Sequence, residues 1–256
     1  MEMPIIIPSY KRAGRVTSHR MVVGAKICVP ESEYAAYRDH HHAEELITHP
    51  DSIKGSALKR EWILAKYKRV FQLDDDCAGI FRIWRPAGYK LKGTTLTPEE
   101  TTLLIERSAD TCKELGAYLF GFNLHANPMT YNGFRPYAFG GYVMGGAFGI
   151  LEGSRLHFGS MMVPGCDHFL PLWNLYAHRY CWLDRRFAFA FKQTYTGVGG
   201  LTDLRADRGE ERGYEFLRKC FGKAIVKKTS NLSAGRQTTK RELNRGARLI
   251  VIPWTY

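Results

Sequence analysis

The sequence predicts an α/β domain, a sheet with helices laid against it. Three observations carry that expectation. Pro4-Ile5-Ile6-Ile7-Pro8 is a β-branched run bounded by prolines and followed by polar Ser9-Tyr10-Lys11-Arg12, the pattern of a buried strand leaving a sheet into a loop. Leu58, Trp62 and Ala65 recur at helical spacing and are followed by the compact strand pattern Arg69-Val70-Phe71-Gln72-Leu73, so helix is followed by strand. With 45% hydrophobic residues among 256, the chain has the apolar surface for a core of that size.

The remaining elements follow in order. A second strand is expected at Ala25 to Val29. Thr97-Pro98-Glu99-Glu100 starts a helix, with Thr97 as cap, Pro98 at the first helical position and Glu100 as the capping-box acid; Gly116 supplies its stop. From Tyr118 to Leu151, aromatic and glycine-rich segments with turn signals at Asn127-Pro128, Asn132-Gly133 and Gly140-Gly141 predict antiparallel strands and loops, the half expected to hold an acceptor. A helix is expected soon after Asp167, with Pro171 in its first turn, and another around Gly213 to Phe221. No internal repeat or linker stands out.

Composition narrows the function classes. Six scattered cysteines without a C-x-x-C pair indicate reduced thiols, several in the core, rather than a zinc knuckle or a disulfide framework. Met1 to Tyr10 has no basic leader with a long apolar core, and Tyr137 to Leu151 is too short and glycine-rich to span a bilayer, so a soluble, cytoplasmic protein without a membrane partner is expected. The net charge is +12, and Lys219 to Arg248 supplies +8 of it, with nine Lys and Arg against Glu242. Such a segment suits a polyanion, through counterion release, or serves as a solubilising surface.

The chemistry centres on Leu73-Asp74-Asp75-Asp76. Three carboxylates directly after an apolar strand repel one another unless a cation is bound. Alternation along the strand lets Asp74 and Asp76 face one side at the carboxyl edge of the sheet, where open α/β sheets bind ligands, and Mg²⁺ or Mn²⁺ suits two hard oxygen donors. An ion held by one or two carboxylates keeps positions free for diphosphate oxygens and stabilises a departing nucleoside diphosphate, the chemistry of sugar transfer. A solvated acidic turn is the other reading of these three residues. His40-His41-His42 reads as an exposed loop with no role, because adjacent histidines diverge. Tyr131, Phe134, Arg135, Tyr137, Phe139 and Tyr142 could stack on an extruded base or pack as a β core. Arg236, Lys240, Arg241, Arg245 and Arg248 suit phosphate contacts or plain solvation.

Ile5 to Arg12 resembles the opening strand and loop of GT-A glycosyltransferases, which lies against the donor's nucleotide base. The resemblance implies a Rossmann-like nucleotide-sugar-binding sheet flanked by helices, with a smaller antiparallel acceptor-side region. It places Pro8, Ser9, Tyr10 and Arg12 at the donor. Gly55 to Trp62 resembles the helix before the metal motif, with Arg60 reaching the donor. Val70 to Asp76 resembles the strand bearing the D-x-D motif, so that Asp74 contacts the ribose side and the metal, Asp76 the metal, and Asp75 shares either role. Gly165 to Trp173 looks like the acidic motif of inverting members, with Asp167 as general base, a carboxylate able to take the proton of a weakly nucleophilic hydroxyl; a helix cap is its simpler role. The late histidine that many GT-A enzymes use as a ligand has no counterpart after His178; His157, His168 and His178 are the fallbacks.

The Ser9-Tyr10-Lys11-Arg12-Ala13 head, Leu73 to Cys77, Gly145-Gly146-Ala147-Phe148-Gly149 and the compact length resemble the TET-associated glycosyltransferases of bacteriophages, whose acceptors are hydroxymethylated pyrimidines in DNA. That resemblance implies a metal-dependent, inverting enzyme of the host cytoplasm moving a sugar from a UDP-sugar to 5-hydroxymethylcytosine in DNA. Residues 1–117 would form the nucleotide-sugar half, 118–200 the acceptor and catalytic half, and 201–256 a basic region contacting DNA. Three alternatives stay open: a GT-A transferase acting on a polysaccharide, lipid or protein, a non-catalytic nucleic-acid-binding protein on a degenerate transferase fold, and a nucleotidyltransferase, the last lacking any P-loop-like glycine run.

Overall fold

The computed structural model of the protein describes residues 2–84, 94–158, 166–192, 209–228 and 240–243. Its opening run forms β1 (Ile5–Pro8), which is buried on both faces: Ile5 and Ile7 enter one core cluster and Ile6 the other. A strand covered on both sides reads as a continuous apolar run, which is why it was legible. β2 (Lys26–Pro30) and β3 (Leu46–His49) extend the sheet on one side of β1, and β4 (Val70–Leu73) lies on the other; all four run parallel.

Beyond β4 the sheet becomes mixed. The remaining strands are β5 (Cys77–Arg82), β6 (Thr94–Thr95), β7 (Leu119–Asn123), β8 (Tyr137–Ala138), β9 (Ala147–Ile150) and β10 (Trp182–Phe191). The order is β3-β2-β1-β4-β9-β7-β10-β5-β6, with β8 on β10. β9 is antiparallel to both β4 and β7, whereas β7 and β10 are parallel, so the expected antiparallel region from Tyr118 is in fact a mixed one. Phe71, Phe120, Phe122 and Phe189 hold this half together, with ring centroids 4.9 to 6.3 Å apart. Truncating one such fully buried ring to alanine typically costs about 3–5 kcal/mol.

The helices are α1 (Tyr34–Arg38), α2 (Ser56–Tyr67), α3 (Pro98–Glu114), α4 (Cys166–His178) and α5 (Gly209–Phe221). α3 starts as expected: Thr97 and Glu100 exchange both capping-box bonds, and Gly116 ends the segment at φ 70°. α2 forms where the spacing placed it, but its buried face is Ala57, Lys59, Arg60, Ile63 and Leu64, not Leu58, Trp62 and Ala65. Two basic side chains turn inward because acceptors just after β1 and on and after β4 await them. Pro171 falls in the second turn of α4 rather than the first, which removes the N–H that would close on the Asp167 carbonyl. His41 is buried between His19 and Tyr37, so the triple histidine is only partly the exposed loop expected.

A separate antiparallel pair, β11 (Ile225–Lys228) and β12 (Lys240–Leu243), follows α5. Cys28, Cys77, Cys112 and Cys181 are buried free thiols. Among the described residues no helix is long and apolar enough to cross a membrane.

Candidate active site

The chain order reverses between β1 and β4: β2 and β3 are added to one side of β1, β4 to the other. The crevice at such a switch point, at the carboxyl ends of the strands, is where open α/β sheets bind ligands. Here it brings the loop after β1 against the acidic triplet after β4. The triplet is short because the chain leaves β4 and returns as β5, which pairs with β10 in the far half of the sheet.

Asp75 faces inward. It is buried, its Oδ2 accepts from Ser9 Oγ at 2.6 Å, and its Oδ1 accepts from Arg12 Nη1 at 2.5 Å. Tyr37 completes the knot: its hydroxyl lies 2.8 Å from Ser9 Oγ and accepts the Arg12 backbone N–H at 3.1 Å. Lys59, buried in α2, donates to the Ser9 carbonyl at 2.5 Å, and burial lowers its ammonium to about 8. Of the four residues expected at the donor, Ser9 and Arg12 thus turn to Asp75, Pro8 ends β1 beside Cys28, and Tyr10 is exposed with the Lys59 ammonium 5.4 Å from its ring centre. Sequence reasoning missed Lys59 and Tyr37, whose roles depend on partners 50 and 28 residues away.

Asp74 and Asp76 have other surroundings. The Asp74 carboxylate accepts from Arg60 Nη2 at 2.5 Å and keeps 40% of its side-chain surface open. It nevertheless lies deep among protein atoms: burial pushes it up to about 6, Arg60 opposes, and the charges of Asp75, Asp76 and Asp167 add to the rise. Asp76 is also raised, by burial and then by Asp75, while Arg12 at 3.6 Å opposes. Arg60 is not free in the crevice: it also donates to Gln72 Oε1 at 3.3 Å and lies over the Phe148 ring.

Asp167 stands in the first turn of α4, its side chain 45% exposed, and comes to this edge through Gly145-Gly146. The Asp74 N–H donates to the Gly146 carbonyl at 2.8 Å. A Cβ on Gly145 would sit 2.5 Å from Cβ of Asp167, and one on Gly146 would sit 2.8 Å from the Phe191 ring. Only residues without a side chain let the two acidic segments approach this closely. Tyr142 donates to Asp167 Oδ2 at 3.3 Å, and His168 Nε2 lies 3.9 Å from the same oxygen.

Of the fallback histidines, His168 stands beside Asp167, and the other two have partners elsewhere. His178 Nε2 accepts the Arg155 N–H at 3.0 Å, and His157 packs on Phe169 and Trp173. Lys240 and Arg241 belong to β12; Arg236, Arg245 and Arg248 lie outside the described residues. Two cavities, of about 420 and 370 Å³, lie away from the triplet, walled by residues such as Glu61 and Lys68 or Lys113 and Tyr118.

A four-stranded parallel half with its switch point at β1 and β4, continued by a mixed half that carries a facing carboxylate, is a GT-A-like glycosyltransferase fold. The sequence model of the TET-associated glycosyltransferases matches residues 3–200, and the chain belongs to that family. The match ends before the basic segment Lys219 to Arg248 begins. Comparison with curated proteins and with solved structures returned no match.

Proposed function

We propose that this glycosyltransferase moves a sugar from a UDP-sugar to the hydroxymethyl oxygen of 5-hydroxymethylcytosine in DNA, with Mn²⁺ or Mg²⁺ as cofactor. The observation that carries the reading is the approach of Asp167 to the Asp74 loop across Gly145-Gly146, in a member of a TET-associated family. The donor set fits such an ion. Asp74 and Asp76 offer hard oxygens, and both carboxyls are raised by burial and by negative neighbours, a strain that a divalent cation relieves. Among the described residues no group of three His, Cys, Asp or Glu gathers as a ligand set; an ion on two carboxylates would keep positions for diphosphate and water. Bound there, the ion would neutralise the charge developing on the leaving nucleoside diphosphate.

The protein's own groups divide the remaining work. The Ser9 to Arg12 loop, fixed by Asp75, Tyr37 and Lys59, would form the floor for the nucleotide. Asp167 would take the proton of the hydroxymethyl group as its oxygen bonds to the anomeric carbon. The electron pair of the breaking sugar–phosphate bond leaves with the diphosphate, and attack from the opposite face inverts the anomeric centre. Tyr142 orients the Asp167 carboxylate. Arg236, Lys240, Arg241 and Arg245 would bind DNA phosphates and give a steep salt dependence.

The test is to incubate the full chain with Mn²⁺, a panel of nucleotide sugars and either 5-hydroxymethylcytosine DNA or unmodified DNA, then digest and weigh the nucleosides. A hexose-sized gain on the modified nucleoside alone is the expected outcome. Transfer to a glycan, lipid or protein with none to DNA would overturn the acceptor, and undiminished turnover in EDTA would overturn the metal.

A further inference from the structure

Phe134 is 98% exposed, and Met129 and Phe139 beside it in the chain are 74% and 53% exposed. A phenyl ring held almost wholly in water is the unusual observation in a folded protein, since such a ring ordinarily finds a partner. The backbone that carries the ring is tied down. Asn132 accepts the Phe134 N–H on its side-chain oxygen at 3.0 Å and the Arg135 N–H on its carbonyl at 2.9 Å, so Phe134 sits at the tip of a closed turn between Gly133 and Arg135.

The surroundings suit a nucleic acid better than a protein or a lipid surface. From Ala117 to Leu151 the sequence contains no Asp or Glu. Next to the turn, Tyr137 stacks on Trp182 at 4.9 Å and carries the Arg186 guanidinium 4.9 Å above its ring centre. Asp184 holds that guanidinium with hydrogen bonds of 3.0 and 2.8 Å, so Arg186 is fixed over the ring. The cation placed to meet a phosphate is the exposed Arg135 at the turn itself, while exposed aromatic faces stack on bases. Phe134 is a single protruding ring among exposed polar neighbours, Asn132, Gly133 and Arg135, a shape for a gap between bases rather than for a flat apolar interface.

The same segment leads into the site. β8 pairs with β10, the Cys181 N–H bonds the Phe139 carbonyl at 3.1 Å, and the chain then delivers Tyr142 to Asp167 and Gly146 to Asp74. We infer that the loop between β7 and β8 opens the acceptor duplex, with Phe134 entering the base stack where the hydroxymethylated base leaves it and Arg135 on a flanking phosphate. A base modified inside a duplex must be turned out to reach an active site, and a wedge that fills its place lowers the barrier to doing so. The inference rests on the DNA acceptor proposed above.

The experiment compares the full-length protein with Phe134→Ala, Phe134→Trp and Arg135→Ala on matched duplex and single-stranded oligonucleotides carrying 5-hydroxymethylcytosine. Each duplex has 2-aminopurine beside the target. Phe134→Ala is expected to lower kcat/KM on duplex about 10- to 100-fold and on single strand only a few-fold, and to lose the 2-aminopurine brightening that the unaltered protein gives. Phe134→Trp keeps both, and Arg135→Ala flattens the salt dependence of binding by a slope of about 1. Because the side chain is in water, the melting temperature should stay put. Equal turnover of duplex by Phe134→Ala and the unaltered protein would overturn the wedge while leaving the DNA acceptor standing. An unaltered protein that modifies neither strand form, or that takes a protein or glycan instead, would overturn both.

Discussion

Two regions leave the same edge of the sheet, after β4 and after β7, and follow opposite rules. Around the acidic triplet polar groups are tied to one another: Asp75 to Ser9 and Arg12, Asp74 to Arg60, the Ser9 carbonyl to Lys59. Around Phe134, large aromatic side chains stand in water on a loop pinned only at its turns and its β8 end. A fixed polar floor suits a ligand whose diphosphate must be held in one geometry, because preorganised charges need not reorient during reaction. An exposed loop that carries an aromatic ring among polar residues suits a large partner whose arrival supplies the missing contacts. Downstream of the Phe134 loop, the glycine pair Gly145-Gly146 brings Asp167 and the Asp74 loop to one edge.

The largest expected effect breaks the polar side. Asp76→Ala should reduce kcat by on the order of 10³-fold or more, with a melting temperature within about 2 °C of the unaltered protein, read by nucleoside mass spectrometry and calorimetry. Asp167→Asn should cost about 10²- to 10⁴-fold in kcat while UDP-sugar affinity stays within a few-fold; unchanged kcat would remove the general base and favour a retaining mechanism. Asp75→Ala tests the floor itself. It leaves the half-buried Arg12 and the buried Ser9 hydroxyl without their acceptor and should lower stability by about 1–3 kcal/mol, measured by urea unfolding.

Smaller effects depend on pH. Asp74 is pushed up to about 6, so Mn²⁺ affinity should fall as pH drops through that value, and Asn at this position should remove the pH dependence along with much of the affinity. Burial holds His41 and His19 below the ordinary 6.5. The unfolded chain therefore takes up protons first, and their contribution to stability, fully present above 6.5, is lost as pH falls through the lowered values. Glu45 opposes the lowering, while Arg20, and His40 for His41, deepen it. Neither ring nitrogen of His41 has a hydrogen-bond partner in the protein. His41→Phe should therefore lessen the acid-side decline in melting temperature relative to the unaltered protein, with little change at pH 8.

Legibility followed the range of the interactions. β1, β4 and α3 were readable because an apolar run, a strand before a turn and a capping box are local signals. β10 escaped notice because Asp184, Arg185 and Arg186 interrupt its apolar pattern, although Phe187 to Phe191 alternates with period two. β3 was missed because its four residues, Leu46-Ile47-Thr48-His49, are half polar, and β5 because Gly79 and Arg82 break its apolar pattern. The triplet was visible as three acids, but its division of labour was not. That Asp75 turns inward while Asp74 keeps an open face depends on Ser9, Arg12, Tyr37 and Arg60, which tertiary pairing alone brings to it. The buried face of α2 was misjudged for the same reason: Lys59 and Arg60 look like solvent residues until their acceptors are in place.

In the proposed reaction Asp74 and Asp76 grip a divalent cation that in turn grips the donor's diphosphate. Calorimetric titration of UDP-sugar into the protein, with and without Mn²⁺ and with Asp76→Ala, measures that link directly. Binding that requires Mn²⁺ and is lost in Asp76→Ala is the predicted result; equal affinity in all three conditions would contradict it.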